Sequence, residues 1–197
     1  MVDVDARSAV RVPGGFTEEE WERARSWEVY LASVREKREI WLAGARRSRL
    51  DDDARARLAA LPGRRRVLVL TEDWCGDAAR SVPALAAALE AAEGVEHRYL
   101  DSDAHPGVLA RYLTHGGRAI PMAIVQDEHG LELGAWGPRP ARLQAMVRAR
   151  LRREGRPTPA TAAAWYAPIL GWYGKDRGQS TVEELLMLLE RGGAPRT

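Results

Sequence analysis

A single cysteine, Cys75, is the residue of this 197-residue chain best suited to nucleophilic chemistry. It stands in the sequence W-C-G-D-A at residues 74–78, between an apolar run typical of a buried strand and a pattern typical of a helix. A thiol attacks a disulfide only as the thiolate, and an ordinary cysteine with a pKa of about 8.5 is ionised to a few per cent at neutral pH. Free backbone N–H groups and the positive dipole end at a helix N-terminus stabilise a thiolate. The position of Cys75 therefore predicts thiol chemistry.

Charged residues near Cys75 act in opposite directions on its pKa. Asp73 and Asp77 bracket the thiol, and neighbouring negative charge raises a thiol pKa. Arg80 and Arg118 could offset these two acids. Two interpretations of Cys75 follow from the sequence, a reactive thiol or a small buried apolar residue at the start of a helix.

Composition narrows the classes of protein to which the chain can belong. The chain carries 30 basic and 28 acidic residues and has 45% hydrophobic residues, which is typical of one compact domain and argues against nucleic-acid binding by bulk charge. One cysteine excludes an intramolecular disulfide, and the four histidines lack metal-ligand spacing, so no metal or cofactor is predicted. The sequence shows neither a secretory signal nor an apolar stretch of about 20 residues, so we expect a cytoplasmic location and no membrane partner.

The elements that must position Cys75 follow from hydrophobic periodicity and capping signals. Thr17 and Glu20 form a capping box, and apolar residues at helical spacing then continue to Trp41, which predicts an amphipathic helix. The predicted order along the chain is a helix from residue 17, a helix at 52–61, a strand at 66–71, a helix at 75–93, a strand at 95–101, a helix at 106–113, strands at 119–126 and 131–136, and helices at 140–153, 160–173 and 181–189. This order predicts an α/β sandwich with helical additions at both ends.

Three sequence blocks resemble the thioredoxin-like family. Residues 74–78 resemble the W-C-G-P-C active site, and residues 101–107 (D-S-D-A-H-P-G) resemble the family's N-x-D-x-N-P-G stretch. Residues 117–122 (G-R-A-I-P-M) are similar to its I-R-G-I-P-T, in which the proline is cis and faces the active-site cysteine. Residues 72–78, 136–140 and 172–176 further resemble a bacterial subfamily with helical flanks.

The resemblance implies a thioredoxin-like three-layer sandwich with a central mixed sheet of about four strands. We expect a flexible N-terminus at 1–16, an N-terminal helical extension at 17–62, the core at 64–154, a C-terminal helical extension at 156–191 and a flexible tail at 192–197.

The resemblance also implies a function, which two departures from the family pattern restrict. Ala78 replaces the second cysteine and Val69 the buried acid of the central strand, so the resemblance predicts a monothiol thiol-disulfide oxidoreductase that needs glutathione or another thiol to resolve its mixed disulfide. Its partner would be a protein or small-molecule thiol or disulfide. The expected catalytic residue is Cys75, and the expected substrate-binding residues are Trp74, Gly76, Asp77, Ala78, Ile120 and Pro121.

Two alternatives use the same residues. A catalytically inactive binding module would hold an extended peptide on the surface around Trp74, Ile120 and Pro121. An oxidant sensor would instead form a disulfide between the Cys75 residues of two copies.

Overall fold

The computed structural model describes residues 14–191 of the chain. Its elements in chain order are α1 (Glu18–Arg23), α2 (Trp27–Ser33), α3 (Arg38–Arg47), α4 (Asp52–Ala59), β1 (Arg65–Thr71), α5 (Ala78–Glu90), β2 (Val95–Asp101), α6 (Pro106–Leu109), β3 (Met122–Asp127), β4 (Glu132–Trp136), α7 (Ala141–Glu154), α8 (Ala162–Asp176) and α9 (Gln179–Leu189). The predicted flexible segments 1–16 and 192–197 lie outside the described residues, apart from residues 14–16.

A mixed sheet of four strands lies at the centre of the fold, in the order β2-β1-β3-β4. Strands β1 and β2 are parallel, whereas β3 pairs antiparallel with both β1 and β4. Strand β1 is central and its residues from Val67 to Leu70 are completely buried, which explains why they form a continuous apolar run. The arrangement confirms the predicted α/β fold and its sheet of about four strands.

The N-terminal helices belong to the main hydrophobic core. Helix α2 packs on β2 and α3 packs on α5. Trp27 lies 5.1 Å from Tyr99 of β2 between ring centroids, and Tyr30 lies 5.6 Å from Trp41. Aromatic side chains bury about 150–250 Å² each. The N-terminal extension therefore supplies a large share of the apolar area that stabilises the sheet.

The prediction of one amphipathic helix from residue 17 to Trp41 is wrong, because the structure has three shorter helices in this range. The first break occurs at Arg25, whose backbone N–H and carbonyl pair with Tyr99 at 2.9 and 2.8 Å. Ser26 then caps α2 by accepting a hydrogen bond from the Val29 amide. The backbone groups of Arg25 thus bond to the sheet edge instead of to a helix.

The C-terminal helices form two separate contacts with the rest of the chain. Helix α9 packs against α5 and β4 and joins the main core. Helices α7 and α8 bury a smaller cluster of their own, made of Leu143, Val147, Trp165, Ile169 and Tyr173. Helix α9 begins at Gln179, two residues before the start predicted from Thr181, since Gly178 occupies the cap position in a left-handed conformation.

Several predicted boundaries also shift by a few residues. The helix predicted at 106–113 ends at Leu109, and the strand predicted at 119–126 begins at Met122. Arg65, the first residue of β1, is buried, and its Nε donates to the Leu189 carbonyl at 2.8 Å. The C-terminal end of α9 supplies this acceptor, and the sequence near Arg65 does not indicate it.

Within residues 14–191, no helix is both long enough and apolar enough to cross a bilayer. The same range contains no group of three or more His, Cys, Asp or Glu side chains placed to hold a metal ion.

Candidate functional site

The loop between β1 and α5 carries Cys75. Strand β1 ends at Thr71, and α5 begins at Ala78, so Cys75 lies three residues before the helix and not at its first residue as predicted. Its amide donates to the Glu72 carbonyl at 3.2 Å, and its carbonyl accepts from Ala79 at 3.0 Å. The indole N–H of Trp41 also donates to the Asp73 carbonyl at 3.0 Å. The loop is therefore held both by α5 and by the N-terminal extension.

The Cys75 thiol is buried and protonated at neutral pH. Only 7% of the residue is exposed. Its Sγ donates to the Ile120 carbonyl at 3.5 Å and accepts from the Ala78 amide at 3.5 Å. Burial raises the pKa of the Cys75 thiol, the Ala78 N–H lowers it, and the charge of Asp77 raises it. The expected stabilisation of a thiolate by the helix N-terminus is present, but the cost of burying the charge outweighs it.

The proline of the third sequence block lies beside this thiol. The Ile120–Pro121 peptide bond is cis, and it immediately precedes β3. The contact of Sγ with the Ile120 carbonyl brings Ile120 and Pro121 to the same place as Cys75, although 45 residues separate Cys75 from Ile120. Both residues of this peptide are buried.

Trp74 is the exposed part of the site. The residue is 45% exposed, and its indole N–H donates to Asp103 Oδ2 at 3.1 Å. Beside it lies an open cavity of about 180 Å³, which is lined by Trp74, Ser102, Asp103, Pro106, Leu109, Arg118, Ala119 and Ile120. Trp74 and Ile120 line this cavity, whereas Cys75 does not.

Glu72 is a buried acid at the site that sequence reasoning missed. Its Oε1 accepts from the Asp103 amide at 2.6 Å and from the Ser102 hydroxyl at 3.1 Å. Burial raises the pKa of Glu72 against the opposing effect of these two hydrogen bonds. Glu72 fixes the turn that carries Asp103, and Asp103 in turn orients Trp74. The available signal was an acidic residue placed directly after a buried central strand.

Asp77 is bound to the C-terminal part of the chain. Its Oδ2 pairs with the Arg139 guanidinium at 2.5 Å, and its Oδ1 accepts from the Tyr173 hydroxyl at 2.8 Å. Burial raises the pKa of Tyr173 far above its usual value, so the hydroxyl is a donor at neutral pH. Both carboxylate oxygens of this predicted substrate-binding residue thus have partners within the chain. Sequence reasoning missed Arg139 and Tyr173.

Comparison with known families identifies this arrangement. A family model described as thioredoxin matches residues 24–155, which are 132 of the 197 residues. The chain belongs to this thioredoxin-like family. No curated protein matches the sequence significantly.

Two solved structures are similar to this thioredoxin-like chain. A protein of unknown function from Pseudomonas aeruginosa is 20% identical with a TM-score of 0.68, over 90% of this chain and 98% of the other. An HIV epitope scaffold is 19% identical with a TM-score of 0.69, over 90% of this chain and 98% of the scaffold. At these identities the similarity supports the fold alone.

The predicted site residues of this thioredoxin-like chain differ in accessibility. Trp74 is exposed, Gly76 and Asp77 are half-buried, and the remaining four, Cys75, Ala78, Ile120 and Pro121, are buried. Ala78 stands where thioredoxins have the second cysteine, and it is completely buried. Its contribution to the site is its backbone amide, which reaches the Cys75 sulfur.

Proposed function

We propose that this thioredoxin-like protein is a binding module that holds an extended segment of a partner polypeptide beside Trp74 and the Ile120–Pro121 peptide. The observation that carries the proposal is the separation of the open cavity from the sulfur. Trp74 and Ile120 line the cavity, whereas Cys75 is buried and donates its thiol proton to a carbonyl.

The backbone next to the cis peptide suits an extended partner. Arg118 and Ala119 lie in a loop, outside every helix and strand. Among the described residues, neither has a backbone hydrogen-bond partner for its amide or carbonyl group. An extended peptide can pair with such free amide and carbonyl groups by adding a strand. Arg118 is exposed and would favour an acidic residue in that peptide.

The cavity is of a size to take one side chain of the bound segment. Its volume of about 180 Å³ is below the roughly 300–1,000 Å³ of pockets that enclose a whole small ligand. Pro106 and Leu109 line the same cavity as Trp74 and add apolar surface to it. We therefore expect the partner segment to carry an apolar side chain that packs on Trp74.

A monothiol oxidoreductase is the second candidate, favoured by the Ala78 amide that faces the Cys75 sulfur. In that reaction the Cys75 thiolate attacks a disulfide sulfur, forms a mixed disulfide and releases the other sulfur as a thiolate. An external thiol such as glutathione then attacks the substrate sulfur of the mixed disulfide. This releases Cys75 as a thiolate and joins the external thiol to the substrate sulfur in a new disulfide. The reaction requires the buried thiol to become exposed and to lose its proton.

The pH dependence of Cys75 alkylation separates the two functions. Because burial raises the thiol pKa, we expect a midpoint above about 8.5, with no more than about 3% of the maximal rate at pH 7. Iodoacetamide modification followed by intact mass measures this rate on the full chain, which has no other cysteine. A midpoint below about 7 would favour the oxidoreductase and contradict the proposal.

Peptide binding tests the proposal directly. A displayed library of random peptides is selected against the wild type, and selected peptides are titrated into three variants. Trp74→Ala should weaken binding, whereas Tyr166→Ala, a control of equal exposure at 44%, should not. Cys75→Ser should bind as the wild type does. Loss of binding in Cys75→Ser, or equal binding by Trp74→Ala and Tyr166→Ala, contradicts the binding module.

A further inference from the structure

A second and larger cleft lies away from Trp74, between the two helical extensions. Residues of α3, of the segment after it, of α5 and of the C-terminal end of α8 line a space of about 880 Å³. This volume falls within the roughly 300–1,000 Å³ that is usual for small-molecule sites. The proposed peptide surface does not account for this cleft, although Tyr173 and Gly174 from the block at 172–176 line it.

The lining of this cleft, which we call the α3–α8 cleft, is strongly basic. Five arginines line it, against one acidic residue, Glu39: Arg46, Arg47, Arg49, Arg80 and Arg177. The whole chain is nearly balanced, with 30 basic and 28 acidic residues, so the excess is local. Among residues 14–191, none of these five side chains forms an ion pair with a carboxylate. Their charge is therefore available to an external anion.

The arginines that line the α3–α8 cleft come from three helices and from the segment after α3. Arg46 and Arg47 come from the last turn of α3, Arg80 from α5 and Arg177 from the end of α8. The guanidinium group binds phosphate and carboxylate with paired hydrogen bonds. Arginines contributed by three helices can reach one compact, multiply charged group from several sides, whereas a row along one helix would suit an extended acidic chain.

Part of the lining of the α3–α8 cleft is apolar, and we call this part its floor. Ile40, Ala43 and Ala84 contribute to it, and Leu170 presents an exposed side chain from α8. Gly174 of α8 has open space where a side chain would stand, whereas Gly44 of α3 packs against Pro83 of α5. The ligand that fits this lining has both an anionic and an apolar part.

We propose that the α3–α8 cleft binds a phosphorylated small molecule of nucleotide size, with its phosphates among the arginines and its apolar part on the floor. The cleft shares no lining residue with the cavity beside Trp74, but its Tyr173 donates to Asp77 and its Arg80 donates to the Gly76 carbonyl at 2.7 Å. An acidic polypeptide segment and free inorganic phosphates are the competing occupants, and the experiment distinguishes them.

Calorimetric titration at physiological salt tests the proposal with ATP, pyrophosphate and a polyglutamate peptide as probes. We expect ATP to bind once per chain and more tightly than pyrophosphate, because only ATP covers the apolar floor. The double variant Arg46→Glu with Arg177→Glu should weaken ATP binding by about tenfold or more, since it removes two charged contacts. The control, Arg148→Glu with Arg152→Glu, makes the same charge change at exposed positions of α7 and should leave binding unchanged.

Four results would overturn the proposal. Absence of saturable ATP binding would exclude a site of this kind. Equal weakening in both double variants would show a response to net charge and not to the cleft. Equal affinity for ATP and pyrophosphate would show that the apolar floor plays no part. Binding of polyglutamate alone, lost in the α3–α8 cleft variant, would assign the cleft to an acidic polypeptide.

Discussion

Replacing Asp77 with asparagine should lower the pKa of Cys75 while it destabilises the fold. The carboxylate of Asp77 raises the thiol pKa, and its partner Arg139 lowers it. Asp77→Asn removes the first effect and leaves the second uncompensated. A shift of about one unit, which is at the lower end for a neighbouring charge, would raise the thiolate fraction at pH 7 about tenfold.

The stability change follows from the two bonds that the carboxylate makes. Asp77 and Arg139 have side chains that are 17% and 20% exposed, so solvent screens their ion pair only in part. A hydrogen bond to a charged group contributes about 1.5–3 kcal/mol. We expect Asp77→Asn to lower the unfolding free energy by about 2 kcal/mol, which for a chain of this size corresponds to a fall in Tm of about 4–8 °C.

The assay compares iodoacetamide rates across pH for the wild type, Asp77→Asn and Tyr173→Phe. Tyr173→Phe removes the 2.8 Å hydrogen bond to Asp77 but keeps the carboxylate charge. It should therefore destabilise the fold without lowering the midpoint of alkylation. If the midpoint for Asp77→Asn equals or exceeds that of the wild type, the electrostatic reasoning fails. If both variants lower it alike, loosening of the loop and not charge controls the thiol.

Three further predictions concern stability. Burial lowers the pKa of His97 to about 4, whereas the unfolded chain has a His pKa of about 6.5. Between these two pH values the unfolded chain binds a proton at His97 that the folded chain does not. The free energy of unfolding should therefore fall by about 3 kcal/mol as the pH drops from 6.5 to 4. Urea unfolding at pH 7 and 4 should show this loss diminished in His97→Gln, and an unchanged loss would contradict it. Gly137 has a φ of 139° and packs on the Pro121 carbonyl, so the added methyl group of Gly137→Ala would clash with it. The control is Gly116→Ala, because Gly116 has a φ of 80° but open space around it. Gly137→Ala should lower Tm more than the control does, and equal losses would refute the clash. Glu184 accepts hydrogen bonds from the Trp136 indole and the Ala141 amide, both at 2.8 Å. Its neighbour Glu183 forms only an exposed ion pair with Arg57. Glu184→Gln should therefore lower the free energy of unfolding more than Glu183→Gln does.

The strands and the location of the site could be predicted from sequence because their signals are local. The apolar run at 66–71 matches β1 to within one residue, and β2 has the predicted bounds Val95–Asp101. The block at 117–122 placed Pro121 against Cys75 through the resemblance, and the hydrogen bond to the Ile120 carbonyl has that geometry. Thr17 and Glu20 form the predicted capping box.

The remaining features depend on residues that are distant in sequence. Arg25 interrupts the N-terminal helix by pairing with Tyr99, 74 residues later, and no local propensity reports such a partner. Asp77 falls in the first turn of the helix predicted at 75–93, but its side chain accepts a hydrogen bond from Tyr173, which is 96 residues away. The burial of Cys75 likewise depends on packing around it. For this reason the sequence identified the thiol but not the direction in which its pKa moves.

The pairing of Arg25 with Tyr99 has a consequence for self-association. Strand β2 is at one border of the sheet, where unpaired backbone groups can recruit a strand from another molecule. Arg25 occupies the amide and carbonyl of Tyr99 on that border, and the aromatic residues of α2 cover the adjoining surface. The N-terminal segment therefore protects the edge of β2 from pairing with a strand of another molecule. Removal of the residues up to Ser26 would expose this edge and should promote aggregation.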